Sequence, residues 1–305
     1  MFLFTRAALT TALFGAVSVS AIPVNGSHAQ PLAPSNPPPS PSVTSALPPS
    51  PSTSGLPRVI ERCIEPMTVA LSFDDGPYNW TTQLVDLLRD NGAKATFCMN
   101  GDNWGCIYGG DNPAHVKYAY DNGMQICSHG WSHANMSTLT GAALRSEFTR
   151  YVVYLLAFAS SGRQHGARIN DAIKEITGAF PNMMRAPYGE IGGQFLQEVA
   201  SPGINQTVIL WDFDSGDTTG ATAEESKKAY KDLIDSNPKN VLALNHETKA
   251  PTVMDVIPYV IKLLNDKGYR MVTVAECLGA SPYRDIGQPT TPLVSVFTSY
   301  PRPQH

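Results

Sequence analysis

The sequence predicts an α/β fold in which a single domain is built on a parallel sheet. Short apolar runs of strand length alternate with amphipathic segments of helix length, and glycine follows several of those segments, where helix ends favour it. The length of 305 residues suits one large domain or two average ones, and single α/β barrels fall in this range.

Seven strands are predicted, with helices between them. The strands are residues 68–73, 94–99, 124–128, 183–186, 206–213, 241–245 and 270–274. The helices are residues 82–91, 114–122, 142–177 in some form, 193–200, 223–236 and 253–267. This alternation indicates a parallel sheet, whose active site is expected at the carboxyl ends of the strands.

Residues 151–168 do not fit the helical pattern on either side of them. If residue 150 were joined to residue 169, apolar residues would recur at steps of four and three, as in an amphipathic helix: Leu144, Phe148, Ile169, Ile173 and Ile176. We interpret 151–168 as an insertion, such as an unspliced intron would add. A genuine longer helix and loop is the alternative, and sequencing of the transcript decides between them.

The amino-terminal residues predict secretion. Residues 1–21 have the pattern of a signal peptide, with Arg6, an apolar run and a small-residue cleavage site; a retained signal anchor is the alternative. We therefore expect an extracellular protein, in one interpretation associated with the cell wall, with no membrane span after cleavage. Four glycosylation sequons fit this interpretation: Asn25, Asn79, Asn135 and Asn205.

Two segments are predicted to be disordered. Of the 27 residues from 31 to 57, 17 are Pro or Ser and none is charged, so residues 22–57 form a linker, either a wall-spanning spacer or a simple disordered tail. Residues 282–305 are again rich in Pro and Thr. The folded domain is therefore expected at residues 58–281. The net charge of −4 and the lack of a basic run argue against a nucleic-acid partner.

The chain has five cysteines, and secretion favours disulfides. Cys63 and Cys277 bracket the predicted domain, so a bond between them would tie the ends of a closed fold. Cys98 and Cys106 could close a short loop. Cys127 lies in an apolar strand, where a buried free thiol is expected. Sequence alone leaves these pairings open.

Two adjacent carboxylates end the first predicted strand. Asp74 and Asp75 follow an apolar run, and Gly76 and Pro77 then turn the chain away. Paired carboxylates at the end of a buried strand are unfavourable unless something uses their charge. If Asp75 binds a metal, Asp74 beside it could serve as a base.

His129 and His133 follow the strand at 124–128. A spacing of four residues in one helical turn points both imidazoles to one side, as in many metal sites; on their own, two structural histidines are the alternative. Together with Asp75 they match a catalytic zinc site with positions open for water and substrate. Zinc can lower the pKa of bound water to about 7.

Two more strand ends carry polar groups. Arg185 could hold a carboxylate bidentately, and the N–H of Tyr188 could face an oxyanion, with an ordinary surface turn as the alternative. His246 ends the strand at 241–245. A lone histidine there is usually structural, but a carboxylate such as Asp217 would raise its pKa and make it a general acid.

Five segments, in chain order, resemble the five motifs of the NodB-type polysaccharide deacetylases, carbohydrate esterase family four. They are residues 73–77, 128–133, 185–189, 211–217 and 242–246. The similarity covers about residues 61–278 and looks most like fungal secreted chitin deacetylases. It implies a distorted (β/α)7 barrel that removes acetyl groups from chitin or a related β-1,4-linked polysaccharide; we also expect a monomer.

The resemblance also implies a role for each site residue. Asp74 would be the general base, oriented by Arg185, and His246 the general acid, tuned by Asp217. Tyr188 would give its backbone N–H to the oxyanion. A divalent metal, zinc or in its place cobalt, would be bound by a ligand set of three: Asp75, His129 and His133.

One residue departs from the family pattern. Thr218 follows Asp217 where the family usually has a Trp that lines the acetyl pocket, so Trp211 or Leu244 is expected to fill the space. Trp80 and Trp104 lie in loops on the predicted active face, where they suit sugar rings or simple loop packing.

Three other functions were weighed against chitin deacetylation. An acetyl xylan esterase would use the same site. A non-catalytic wall-binding protein would be expected to have lost some of the motif residues, which are all present. A serine hydrolase is disfavoured because the chain has no Gly-x-Ser-x-Gly elbow.

Overall fold

A curled sheet of parallel strands lies at the centre of the computed structural model, which describes residues 55–148 and 169–290. The strands are β1 (Val59–Ile60), β2 (Thr68–Gly76), β3 (Ala95–Met99), β4 (Gln125–Ser128), β5 (Ala179–Pro181), β6 (Met183–Met184), β7 (Thr207–Ile209), β8 (Phe213–Asp214), β9 (Asn240–His246), β10 (Arg270–Met271) and β11 (Tyr283–Ile286). The helices are α1 (Thr81–Asp90), α2 (Asn112–Asp121), α3 (Gly141–Phe148), α4 (Ile169–Thr177), α5 (Phe195–Val199), α6 (Ala223–Asp235), α7 (Ile257–Asp266) and α8 (Val274–Cys277).

The main sheet has the strand order β1-β7-β6-β4-β3-β2-β9-β8, and β10 pairs with the first residues of β2. Every pairing in it is parallel, as predicted. Strands β5 and β11 form a separate antiparallel ribbon. The carboxyl ends of the parallel strands therefore share one end of the sheet.

The run from β7 to β8 curls the sheet into a barrel. Strand β7 pairs with β1 and β6 near one edge, whereas β8 pairs with β9 at the other. Only three residues connect them, so Ile209 and Phe213 are at most about 14 Å apart. The two edges must therefore approach each other. The prediction of one strand at 206–213 is wrong, because the chain changes partner in the middle of this run.

Side chains on the strands alternate between the helices and the barrel interior. On β2 the outward residues belong to the largest hydrophobic core: Val69, Leu71 and Phe73. Ala70 belongs to a second cluster together with Cys98 and Leu242 of neighbouring strands. Since side-chain direction alternates, Asp74 faces the interior as Ala70 does. His246 is in register with Asp74 and reaches the same region.

Helix α8 covers the opposite end of the barrel. The N–H of Val274 donates to Thr96 Oγ1, at 2.9 Å. A disulfide between Cys63 and Cys277, the pair that brackets the predicted domain, ties α8 to the segment before β2. The predicted strand 270–274 ends early because Thr273 caps α8.

The second disulfide joins Cys98 to Cys127, and Cys106 is free. The predictions of a loop closed by Cys98 and Cys106, and of a free Cys127, are therefore wrong. Strands β3 and β4 are neighbours, and Cys98 lies opposite Cys127 in their register. Strand adjacency, rather than closeness in sequence, decides the pairing.

The prediction of disorder from residue 282 is wrong for its first part. Strand β11 pairs with β5, and the Tyr283 hydroxyl accepts a hydrogen bond from the N–H of Ile126 at 2.9 Å. The Arg284 guanidinium lies 4.0 Å from the ring centroid of Phe180. These contacts extend the folded domain beyond residue 281.

Several predictions concern residues outside the described ranges. They are the signal peptide, the linker up to residue 54, the insertion at 151–168 and the tail from residue 291. Among the helices of residues 55–148 and 169–290, none is both long and apolar enough to cross a membrane.

Candidate active site

The predicted catalytic and metal-binding residues come together at the carboxyl end of the barrel. Asp74 and Asp75 lie in the last part of β2, and His246 ends β9. The histidine pair follows β4, and Arg185 follows β6. Four separate strands thus supply one site, as expected for a parallel βα fold.

Asp75, His129 and His133 form a cluster that could hold a metal ion. One ligand atom from each lies within 4.8 Å of the others. Asp75 Oδ1 is 3.2 Å from His133 Nε2 and 3.7 Å from His129 Nε2. Asp75 and His133 adopt left-handed φ angles of 73° and 57°, which are strained for residues other than glycine and are typical of functional sites.

The protonation of the two histidines fits metal binding. His129 Nδ1 lies 2.9 Å from the carbonyl oxygen of Arg185. Because a carbonyl only accepts, Nδ1 carries the proton and Nε2 presents its lone pair to the cluster. Burial and the neighbouring His129 lower the pKa of His133, which favours the neutral form that a metal requires. Two imidazole nitrogens and a carboxylate are a donor set that zinc accepts.

Asp74 is held as a carboxylate by a buried arginine. Arg185 is fully buried, and its Nη1 donates to Asp74 Oδ1 at 2.8 Å. Burial alone would raise the pKa of Asp74, but the charge and the hydrogen bond of Arg185, together with His246, outweigh it and lower the pKa. Arg185 Nη2 donates to the carbonyl oxygen of Leu210 at 2.9 Å, which fixes the guanidinium in place. Asp74 can therefore accept a proton near the metal cluster.

His246 is paired with Asp217. Its Nδ1 lies 2.7 Å from Asp217 Oδ1, and its backbone N–H donates to Asp217 Oδ2 at 2.8 Å. The hydroxyl of Thr252 also donates to Oδ2. Burial would lower the pKa of His246, but the bond to Asp217 and the charge of Asp74 outweigh it and raise the pKa. His246 can thus carry a proton to a substrate atom at its Nε2.

Three of the predicted substrate-binding residues surround this centre. The side chain of Tyr188 is 65% exposed, and its ring centroid lies 4.7 Å from that of His133. The Trp211 ring lies against Gly189, with the Arg185 guanidinium 5.6 Å from its centroid. Leu244 is buried on β9, two residues before the end of the strand.

The two loop tryptophans differ in their environment. Trp104 is 51% exposed, and Lys249 Nζ lies 5.5 Å from its ring centroid. The Tyr78 ring packs edge-on against it at 5.7 Å. Trp80 is half-buried against the main hydrophobic core. The position of Trp104 thus suits a sugar platform better than that of Trp80.

Sequence reasoning missed the polar residues that support the metal cluster. Asn103 Nδ2 donates to Asp75 Oδ1 at 3.3 Å and to Asn100 Oδ1 at 3.1 Å, and Asn100 Nδ2 donates to the His129 carbonyl at 2.6 Å. Glu147 on α3 accepts from both the N–H and the hydroxyl of Ser132, each at 2.8 Å. Glu147 is a single acid within a predicted helix and gives no signal of its own. Asn100 directly follows a predicted strand, so its position could have drawn attention.

Comparison with known proteins identifies the family. The polysaccharide deacetylase family model matches residues 61–169. The chain is 31% identical over 231 residues to a chitin deacetylase of Colletotrichum lindemuthianum, covering 73% of this chain and 84% of the relative. The chain belongs to the polysaccharide deacetylase family. The predicted family, and with it the enzyme class, is confirmed.

Two further similarities agree with this. A chitin deacetylase of a Pestalotiopsis species is 34% identical over 224 residues, covering 72% of this chain and 67% of the relative. The solved structure of the Colletotrichum lindemuthianum chitin deacetylase has a TM-score of 0.64 at 30% identity, covering 75% of this chain and 96% of that one. The predicted distorted (β/α)7 barrel is confirmed.

Proposed function

We propose that this protein is a metal-dependent deacetylase that removes N-acetyl groups from chitin or chitooligosaccharides. Its products are acetate and free glucosamine units. One observation carries the proposal: the buried Asp74 lies 3.6 Å from the metal-ligand candidate His129 and in register with His246, which is paired with Asp217. The similarity to two chitin deacetylases supports the choice of substrate.

Asp75, His129 and His133 would hold the metal. A divalent cation bound there, zinc or in its place cobalt, would supply a Lewis acid that acidifies water and polarises the acetamide carbonyl. Arg185 fixes the His129 tautomer through its carbonyl oxygen while its guanidinium holds Asp74. The ligand cluster and the base are therefore positioned by the same residue.

Two side chains, Asp74 and His246, carry out the two proton transfers of the reaction. Asp74 takes a proton from the attacking water as its oxygen forms a bond to the carbonyl carbon of the acetamide. The backbone N–H of Tyr188 donates to the oxyanion that develops on the carbonyl oxygen. His246 gives its proton to the amide nitrogen as the C–N bond breaks, which releases acetate and the amine.

The rim of the site suits a sugar chain. Trp211 and Leu244 would enclose the acetyl methyl, because Thr218 is too small to replace the Trp that the family resemblance places there. Trp104 and Tyr188 present exposed aromatic surface on which sugar rings could stack. The two disulfides support secretion, since such bonds persist in oxidising compartments. We expect the secreted protein to act as a monomer.

Acetate release by the purified protein tests this function. Chitin oligomers and acetylated xylan are compared with and without a chelator, followed by added zinc. We expect zinc-restored release from the chitin oligomers. Asp75→Asn should abolish it, and Asp214→Asn, a nearby exposed carboxylate whose Oδ1 only caps its own turn, should not.

The alternative outcomes separate the remaining functions. Release from xylan alone would support the same active site but show that its substrate is an acetyl ester. No release from either substrate by a folded, zinc-loaded protein would refute catalysis and leave the wall-binding function.

A further inference from the structure

Glu247 is a buried carboxyl that the proposed reaction does not use. It follows the proposed general acid His246 directly, and its side chain is fully buried. Its Oε2 is hydrogen-bonded with the Thr81 hydroxyl at the start of α1. Within the described residues, Oε1 has no hydrogen-bond partner. A buried carboxylate with a single neutral partner is unfavourable, so this one requires an explanation.

The hydrogen bonds of Thr81 join Glu247 to the start of α1. Thr81 Oγ1 donates to Glu247 Oε2 and accepts from the N–H of Tyr78 at 2.9 Å, and the carbonyl oxygen of Tyr78 lies 2.8 Å from the same hydroxyl. Burial, reinforced by the charges of Asp75 and Asp74, raises the pKa of Glu247 to about 8, against the hydrogen bond from Thr81.

The carboxyl of Glu247 also packs against the turn that carries the proposed base and metal ligand. A Cβ built on Gly76 would overlap with Oε1 and Cδ of Glu247. The carboxyl thus occupies the space that a side chain at residue 76 would need. Gly76 is bonded to Asp75, so a displacement of the Glu247 carboxyl would let the metal-ligand turn move.

We propose that Glu247 is a positioning residue, which through its hydrogen bond with Thr81 and its contact with Gly76 holds the turn from Asp75 to Pro77 in the geometry that binds the metal. The proposal rests on the proposed function, because it assigns that turn to metal binding. Glu247 links three parts of the site: the end of β9, the turn after Asp75 and the start of α1. It acts through its neighbours and does not touch the substrate.

Two substitutions of similar size test the proposal. Glu247→Gln keeps the length and an oxygen that can accept from Thr81, whereas Glu247→Met keeps the length and loses the hydrogen bond. Zinc dissociation constants are measured by competition with a chelator, and the absorption spectrum of the cobalt-substituted protein reports ligand geometry. We expect Gln to match the wild type and Met to weaken zinc binding about 10- to 100-fold, the usual effect of a lost supporting contact.

Two results would overturn the proposal. If the Met variant binds zinc as tightly as the wild type, with an unchanged cobalt spectrum and only a lower Tm, the residue merely fills the core. If Gln weakens binding as much as Met does, the hydrogen bond with Thr81 is not what holds the turn.

A substitution at Thr81 tests the same hydrogen bond from the other side. Thr81→Val removes the hydroxyl at nearly constant volume and should weaken zinc binding as Glu247→Met does; an unchanged dissociation constant would again refute the proposal. Zinc affinity is measured without substrate. A failure of the proposed deacetylation would therefore be seen separately, as a wild type that binds zinc and releases no acetate.

Discussion

Replacing Asp217 by Asn tests whether this carboxylate tunes His246. The substitution keeps the shape of the side chain and removes the negative charge 2.7 Å from His246 Nδ1. The side chains of the pair are only 10% and 5% exposed, so water screens their interaction little. An opposite charge this close shifts a pKa by about 1–3 units. We expect the lower part of that range, because Asp74 and Asp75 still raise the pKa of His246.

The pH dependence of kcat/KM for acetate release measures the shift. A general acid must be protonated, so activity falls as the pH rises through the pKa of His246. In Asp217→Asn this alkaline limb should move to lower pH by about 1–2 units, while the acid limb, which reports Asp74, stays in place. Asp214→Asn is the matched control and should move neither limb. An unmoved alkaline limb in Asp217→Asn would refute the assignment, whatever happens to the rate.

The same pair makes a signed prediction for stability. The pKa of His246 is raised in the folded protein, so its pairing stabilises the fold fully below the unfolded pKa of about 6.5 and is lost as the pH rises through the folded value. The free energy of unfolding lost in Asp217→Asn should therefore be larger at mildly acidic pH than at alkaline pH. An equal loss at both would show that the pair adds no proton-linked stability.

Three further predictions concern other parts of the fold. Arg185→Met should lower the free energy of unfolding in urea by about 3–5 kcal/mol, because it leaves the Asp74 carboxylate buried without its cation; a loss under about 1 kcal/mol would show that water already solvates that group. Thiol labelling in guanidinium without reductant, located by peptide mapping, should find one thiol per chain, at Cys106; a label on Cys98 or Cys127 would contradict the bond between them. Glu147→Gln replaces one of the two acceptors for Ser132, which precedes His133, and should weaken zinc binding about tenfold; unchanged affinity would show that the segment from His129 to His133 keeps its geometry without this carboxylate.

The sequence predicts the strands that carry the site because each is a buried apolar run with a polar group at its carboxyl end. Strand β9 was predicted within one residue at each end, and β2 was extended through the carboxylates that were expected to stop it. The alternation of side chains then brings Asp74 and His246 into one interior. Local pattern suffices here because the chemistry lies where each strand ends.

Features that depend on which strands are neighbours were not predictable in this way. The bond from Cys98 to Cys127 requires β3 beside β4, and the break in the run 206–213 requires that its two halves pair with opposite edges of the sheet. Glu247 could have drawn attention as an acid at the end of an apolar strand. Glu147 could not, since one acid at the end of a helix is ordinary until its partner is known.

Closure of the barrel and orientation of the proposed base depend on the same side chain. The Arg185 guanidinium donates to Asp74 Oδ1, to the carbonyl oxygen of Leu210 and, at 3.4 Å, to that of Ile209. Those carbonyls belong to the run that joins the two edges of the sheet. With Nη2 and Nε engaged by this run, Nη1 is left to face Asp74, so the closure of the barrel sets the direction of the carboxylate. A lysine could not replace this arrangement, because an ammonium lacks the planar fork that serves three fixed acceptors at once.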